Sequence, residues 1–171
     1  MRPTPPIHSP RAREIIAAAR ELLEREGPAG LSMRRVAERL GIRAPSLYKH
    51  VRDKGELEAA LISEGFAEAA ERFEAAGSLA EFGAAYRAFA LGHPHLYRLM
   101  LQGPLARGRL VPGAEQRAAA PVIAAVGGDG DRARALFAFA HGMVILELDD
   151  RFPPDADLAA AWARGLSAFA P

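Results

Sequence analysis

The 171-residue sequence predicts an all-α protein in which an N-terminal three-helix helix-turn-helix domain precedes a C-terminal helical domain. Three observations predict it. Apolar residues recur at three- and four-residue spacings in almost every segment between the Gly- and Pro-rich breaks. No stretch shows the period-2 alternation of a half-buried strand. Half of the residues are hydrophobic, enough for a sizeable core, yet no run approaches the roughly 18 apolar residues of a membrane span.

Residues 1–10, MRPTPPIHSP, are Pro-rich and lack the apolar stretch of a signal peptide, so a flexible tail is expected there. From Arg11 onward Ile15, Ile16, Ala19, Leu22 and Leu23 share a helical face, closed off by Gly27 and Leu31. Ser32 suits the N-cap of a second helix whose Val36, Ala37 and Leu40 fall on one side. Gly41 supplies the left-handed residue that ends this helix, and Ile42 plugs the turn. Pro45 belongs in the first turn of a third helix, where its missing N–H costs nothing. That helix buries Leu47 and Val51 and leaves Arg43, Ala44, Ser46, Tyr48, Lys49 and His50 outside. Two short helices joined in this way form a helix-turn-helix, whose second helix enters the DNA major groove.

A long helix is expected from Lys54 to Ala76 through Leu57, Leu61, Phe66, Ala69, Ala70 and Phe73. It leads from the DNA-binding domain (11–56) into the second domain (57–171) and links them mechanically. Ser78 caps a helix carrying Phe82, Tyr86 and Phe89, which Gly92 and Pro94 break. A short helix follows from His95 to Leu101, and then a mobile loop over 102–114. Glu115–Val126 forms a helix ending at Gly127-Gly128. The next, from Asp131 to about Asp150, is apolar nearly all round and so must be buried on every side. After Pro153-Pro154, the last helix aligns Leu158, Ala161, Trp162, Gly165, Leu166 and Phe169 in one stripe. One small chain has too few helices to cover the last two. Pairing with their copies in a homodimeric four-helix bundle is economical, with Gly142 and Gly165 allowing close approach. The alternative is that this surface packs within one chain.

Charge is distributed unevenly. Residues 1–54 hold ten Arg and two Lys against six acids, a net of +6, and the remainder carries −5. Both lysines, Lys49 and Lys54, lie in the recognition segment. A basic N-terminal third is the electrostatic footprint of a DNA contact. Cys is absent, which excludes disulfides and thiolate metal sites and fits a reducing compartment. With no signal peptide or membrane span, a cytoplasmic protein is expected. Asn is absent and Gln occurs twice, as a thermophile or a GC-rich coding bias would produce; neither bears on function.

The string LGIRAPSLYKHVRDKGEL resembles the recognition region of the TetR family of one-component bacterial repressors. The matching residues are Leu40, Gly41, Ile42, Ser46, Leu47, Tyr48, His50, Val51, Lys54 and Leu57, and the likeness extends back to Arg11. LFAFAHGMVILELDDRF resembles the family's C-terminal subtype named for a Trp-His-Gly motif. His141-Gly142 match, while Phe137 stands where the Trp is expected. The resemblance implies that Ser32, Tyr48, His50 and Lys54 hold phosphates, fixing register without reading sequence. Arg34, Arg43 and Lys49 would point at base edges, and Ala44 and Pro45 would offer apolar contact. Arg11, Arg13 and Arg2 either touch the DNA backbone or an adjacent minor groove, or are solvated.

By the same resemblance the second domain holds an inducer pocket. Its candidate lining is Phe82, Tyr86, Phe89, Tyr97, Met100, Leu101, Val122, Phe137, His141 and Met143, although such stripes also make ordinary cores. His141, polar within an apolar helix, must find a partner. His93, His95, Glu147, Asp149 and Asp150 match no established ligand spacing, so no metal or cofactor is expected. No nucleophile triad, phosphate loop or paired buried carboxylates emerge, so no enzyme is expected. The sequence therefore predicts a homodimeric repressor on a palindromic operator, released by a small, largely apolar effector. The alternatives are a DNA-binding regulator without a ligand, and a helical ligand-binding or enzymatic protein with a vestigial helix-turn-helix.

Overall fold

The computed structural model describes residues 9–170, among which every regular element is helical. In chain order these are α1 (Pro10–Gly30), α2 (Met33–Arg39), α3 (Ala44–Leu47), α4 (Lys54–Glu74), α5 (Leu79–Gly92), α6 (Pro94–Leu101), a 3-10 turn (Arg107–Arg109), α7 (Ala114–Ala125), α8 (Gly130–Leu148) and α9 (Leu158–Ser167). The tail expected over 1–10, with Arg2, lies outside the described residues as far as residue 8. Ser9 and Pro10 already belong to the start of α1, where Ser9 Oγ accepts from the Ala12 N–H.

Small polar residues begin the helices as their chemistry requires. Ser32, Ser78, Asp129 and Asp157 each accept a backbone N–H from the first turn of α2, α5, α8 and α9. Gly27 has φ 71°, and Pro28 follows, so the regular part of α1 ends before them. A Cβ at Gly27 would also stand 3.2 Å from the His95 ring, so this position needs glycine twice over.

The described chain packs as two compact units. One takes the chain up to Gly65 together with His95–Pro112; the other takes Phe66–Pro94 and the chain from Gly113 onward. The division falls inside α4 rather than at residue 56. α6 and the loop after it belong to the first unit, with the helix-turn-helix.

In the first unit Ile15, Ile16, Leu23, Val36, Leu47, Leu57, Leu61 and Leu96 are fully buried. Each such side chain contributes about 1.5–3 kcal/mol relative to exposure. Gly65 lets α6 seat closely on α4, since a Cβ there would stand 2.5 Å from Met100 Sδ.

In the second unit Phe73, Phe82 and Tyr86 form an aromatic cluster with centroids 5.1–5.9 Å apart. α8 presents Ala133, Leu136, Ala140 and Val144 inward. It is not buried on every side as its composition suggested: Phe137 is 39% and Leu146 43% exposed. The stripe of α9 also departs from expectation. Trp162 and Leu166 are buried within this one chain. Trp162 meets the Phe139 ring edge-on at 5.6 Å, and Phe169 lies 6.0 Å from the same ring. Leu166 reaches Gly83 of α5 and Gly165 lies against Phe139, while Leu158 and Phe169 are half-buried. Within one chain this stripe is the inner face of α9, and Trp162, Gly165 and Leu166 already have packing partners there.

Candidate nucleic-acid interface and ligand cleft

The turn between α2 and α3 is built as the sequence requires. Gly41 has φ 66° with open space around it, and the Ile42 N–H returns to the Ala37 carbonyl at 3.0 Å. α3 is short, and its last turn closes through Val51 N–H to the Leu47 carbonyl at 3.0 Å. Leu47 and Val51 anchor it from beneath. Arg43, Pro45, Tyr48, Lys49 and His50 stand exposed, and Ala44 and Ser46 are half-buried. Tyr48 leaves half its surface in solvent.

The cations here fall into two groups. Arg34 pairs with Glu38 at 3.5 Å, Lys54 with Glu58 at 3.4 Å and Arg52 with Glu56 at 3.3 Å. Arg35 and Arg39 pair with Glu26 and Glu21, and Arg11 with Glu14. Arg43 and Lys49 have no carboxylate partner among the described residues. They are the two cations left uncompensated on the exposed side of α3. Exposed pairs such as Arg34–Glu38 and Lys54–Glu58 are worth only about 0–1 kcal/mol, so a phosphate can displace the glutamate. Ser32 Oγ is engaged as the α2 cap, accepting from the Arg35 N–H at 3.3 Å, and its own hydroxyl hydrogen is available to donate.

The start of α4 adds a residue that sequence reasoning missed. Asp53 Oδ1 accepts from the Glu56 N–H at 2.8 Å and from Arg109 Nη1 at 2.6 Å. These bonds, the Glu56 N–H first, hold its carboxyl below the usual range. Nothing local marks Arg109, which lies 56 positions away in a Gly- and Pro-rich loop.

The second unit does not bring the expected pocket residues around a chamber. Tyr97, Met100 and Leu101 belong to the first unit. Phe82, Tyr86, Phe89 and Val122 are buried packing. Phe137 meets Tyr86 at 6.4 Å and stacks on His141 at 6.0 Å. Met143 and His141 are half-buried on α8, and burial pushes the His141 pKa down. An open cleft of about 530 Å³ lies elsewhere in this unit. Its walls are the α4–α5 corner, with Phe73, Glu74, Leu79 and Phe82, and the α7 side, with Ala120, Pro121, Ala124 and Ala125. Phe82 is the one expected residue that lines it. His93 bonds Glu68 at 3.2 Å, and no cluster of three metal-ligating side chains occurs among the described residues. No helix among them is long and apolar enough to cross a membrane.

Two family models match the chain. Residues 15–61 fit the family described as bacterial regulatory proteins, tetR family. Residues 79–169, more than half of the chain, fit a tetracyclin repressor-like C-terminal domain. The chain belongs to the TetR family. An uncharacterised HTH-type transcriptional regulator of Mycobacterium tuberculosis is 31% identical over 78% of this chain and 68% of its own length. An HTH-type transcriptional regulator of Saccharopolyspora erythraea is 37% identical over 54% of this chain, which spans only 41% of that relative. Among solved structures, a protein of unknown function from Rhodococcus sp. RHA1 superposes with a TM-score of 0.75 at 28% identity, covering 98% of this chain and all of that one. The multidrug binding protein EbrR, complexed with imidazole, gives a TM-score of 0.69 at 26% identity, covering 96% and 92%. The two regulator relatives are transcriptional regulators by name. The helix-turn-helix therefore sits where the TetR family places it, ahead of the C-terminal helical domain.

Proposed function

We propose that this TetR-family chain is a homodimeric repressor that reads a pseudo-palindromic operator with α3 and releases it on binding a small effector. The observation that carries the reading is the charge sorting on the helix-turn-helix. Arg43 and Lys49 lack acid partners beside exposed Tyr48 and His50, while neighbouring cations hold displaceable glutamates. Arg34, Arg43 and Lys49 are assigned to base edges, and Ala44 and Pro45 to apolar contact. Ser32, Ser46, Tyr48, His50 and Lys54 are assigned to phosphates or to docking the helix.

The dimer is assigned to the outward side of α8. Gly142 there has nothing within 4 Å of an added Cβ. A mid-helix glycine costs about 1 kcal/mol relative to alanine, and nothing inside the chain uses the space. Close approach of a second backbone does, with Ala138, Ile145 and Leu146 alongside. His141-Gly142 support placing the domain in the Trp-His-Gly subtype, while Phe137, standing where the Trp is expected, departs from it.

The effector is assigned to the α4–α5/α7 cleft. Its walls combine phenyl, leucine and alanine side chains with the polar Glu74 and Ser78, and suit a small molecule of a few hundred Å³ that carries a polar group beside an apolar body. An effector preferring the conformation with wrongly spaced recognition helices lowers DNA affinity by linkage. A cytoplasmic location accompanies this role. The packed state of the expected chamber favours one second reading, a regulator that answers to no small molecule.

A mobility-shift titration on the duplex upstream of the coding region tests the DNA-binding reading. Binding should survive excess random duplex and weaken steeply with added KCl. Equal affinity for the random duplex would contradict it.

A further inference from the structure

The loop after α6 is fastened to α4 at two places. The Val111 N–H donates to Ser63 Oγ at 3.0 Å, and that hydroxyl donates to the Ala59 carbonyl at 2.7 Å. Ser63 is the buried polar side chain of this unit, 5% exposed. Ten positions before Ser63, Asp53 Oδ1 lies 2.6 Å from Arg109 Nη1, which is also 2.6 Å from where a Cβ on Gly55 would stand. Gly55 thus leaves the room that the guanidinium occupies.

Asp53 caps α4 and is the residue before Lys54. As a cap it is useful, since its Oδ1 takes the Glu56 N–H. As a neighbour of a phosphate-binding lysine it is a liability, because a bare carboxylate there repels the DNA backbone. The other acids at this helix start already have cations: Arg52 serves Glu56 and Lys54 serves Glu58. Asp53 is bonded by neither of these cations but by Arg109, a pairing that persists when Lys54 leaves Glu58 for a phosphate. Both members of the pair are 51% exposed, so the bond adds little to folding stability. The pair also lowers the negative charge that an approaching polyanion meets at this helix start.

We propose that Arg109 is a positioning residue for the DNA contact: by neutralising Asp53 it lets the start of α4 and Lys54 meet a phosphate, making the α6–α7 loop part of the operator-binding site. This rests on the assignment of Lys54 to a phosphate. It places a determinant of operator affinity outside the helix-turn-helix.

The test is fluorescence anisotropy of the full chain on a labelled duplex from upstream of its coding region, over a KCl series. Arg109→Ala should weaken binding about five- to tenfold at low salt, and the deficit should shrink as salt screens it. Arg109→Lys should bind within about twofold of wild type. Asp53→Asn keeps the cap, so the double variant Asp53→Asn/Arg109→Ala should recover to within about twofold of Asp53→Asn alone. Lys54→Ala separates the two assignments. If Lys54→Ala weakens binding and Arg109→Ala does not, the inference is overturned and the Lys54 assignment stands. If Lys54→Ala leaves affinity and its salt dependence unchanged, both fall. A deficit in Arg109→Ala that persists at high salt and is not recovered in the double variant also overturns the inference, because it reports damaged structure.

Discussion

Gly165 of α9 faces the ring of Phe139 on α8 so closely that a Cβ at Gly165 would stand 2.0 Å from the ring's Cζ. The contact sets how near the last two helices lie within one chain. Gly165→Ala should therefore cost about 1–3 kcal/mol by overpacking, read as a lowered denaturation midpoint with unchanged oligomeric state. Leu166→Arg should unfold the second unit, since Leu166 is buried against Gly83. A folded, monomeric Leu166→Arg would return α9's stripe to a dimer interface.

Gly142 gives the opposite expectation. Its surroundings are open, so Gly142→Glu should fold with a near-wild-type midpoint. An unpaired charge in the proposed apolar seam should convert the dimer to monomers in sedimentation and remove specific DNA binding along with it. Dimers of unchanged affinity would move the interface elsewhere.

Filling the cleft tests the effector site. Ala124→Phe places a ring between α7 and the α4–α5 corner and should abolish the response to an effector, with operator binding kept within a few-fold. If a known effector still released this variant normally, the cleft would not be its site.

His141 titrates against its burial. Its folded pKa lies below the ordinary 6.5 of a histidine because burial disfavours the imidazolium. The unfolded chain therefore binds its proton first, and stability falls as pH drops from 6.5 toward the folded pKa. The difference in unfolding free energy between pH 7.5 and 5.5 should be larger in wild type than in His141→Gln. Equal differences would show that His141 is not desolvated.

Much of the fold was legible because its signals are local. Ser32, Ser78, Gly41 and Gly127-Gly128 announce helix ends by backbone chemistry that needs no tertiary partner. The exposed side of α3 was legible too, since burying Leu47 and Val51 leaves Tyr48, Lys49 and His50 a single place to go. What failed was long-range. Periodicity shows that Trp162 and Leu166 share a face but not what that face meets, and Gly83 supplied the answer from α5. The aromatic stripe of α5 read equally well as a pocket wall or as a core. The Arg109–Asp53 pair joins two loops with no shared pattern, so only coordinates reveal it.

The most direct test of the central claim is to select operator sequences from a random duplex library with wild-type protein and with Arg43→Ala. Arg43 is uncompensated and exposed at the N-cap of α3. Its loss should relax the preference at one base pair in each half-site, at about 1–3 kcal/mol on the wild-type consensus, with the flanking preferences intact. An Arg43→Ala protein that returns the same consensus, with every position as strongly selected as before, would contradict the reading of α3 as the helix that reads DNA.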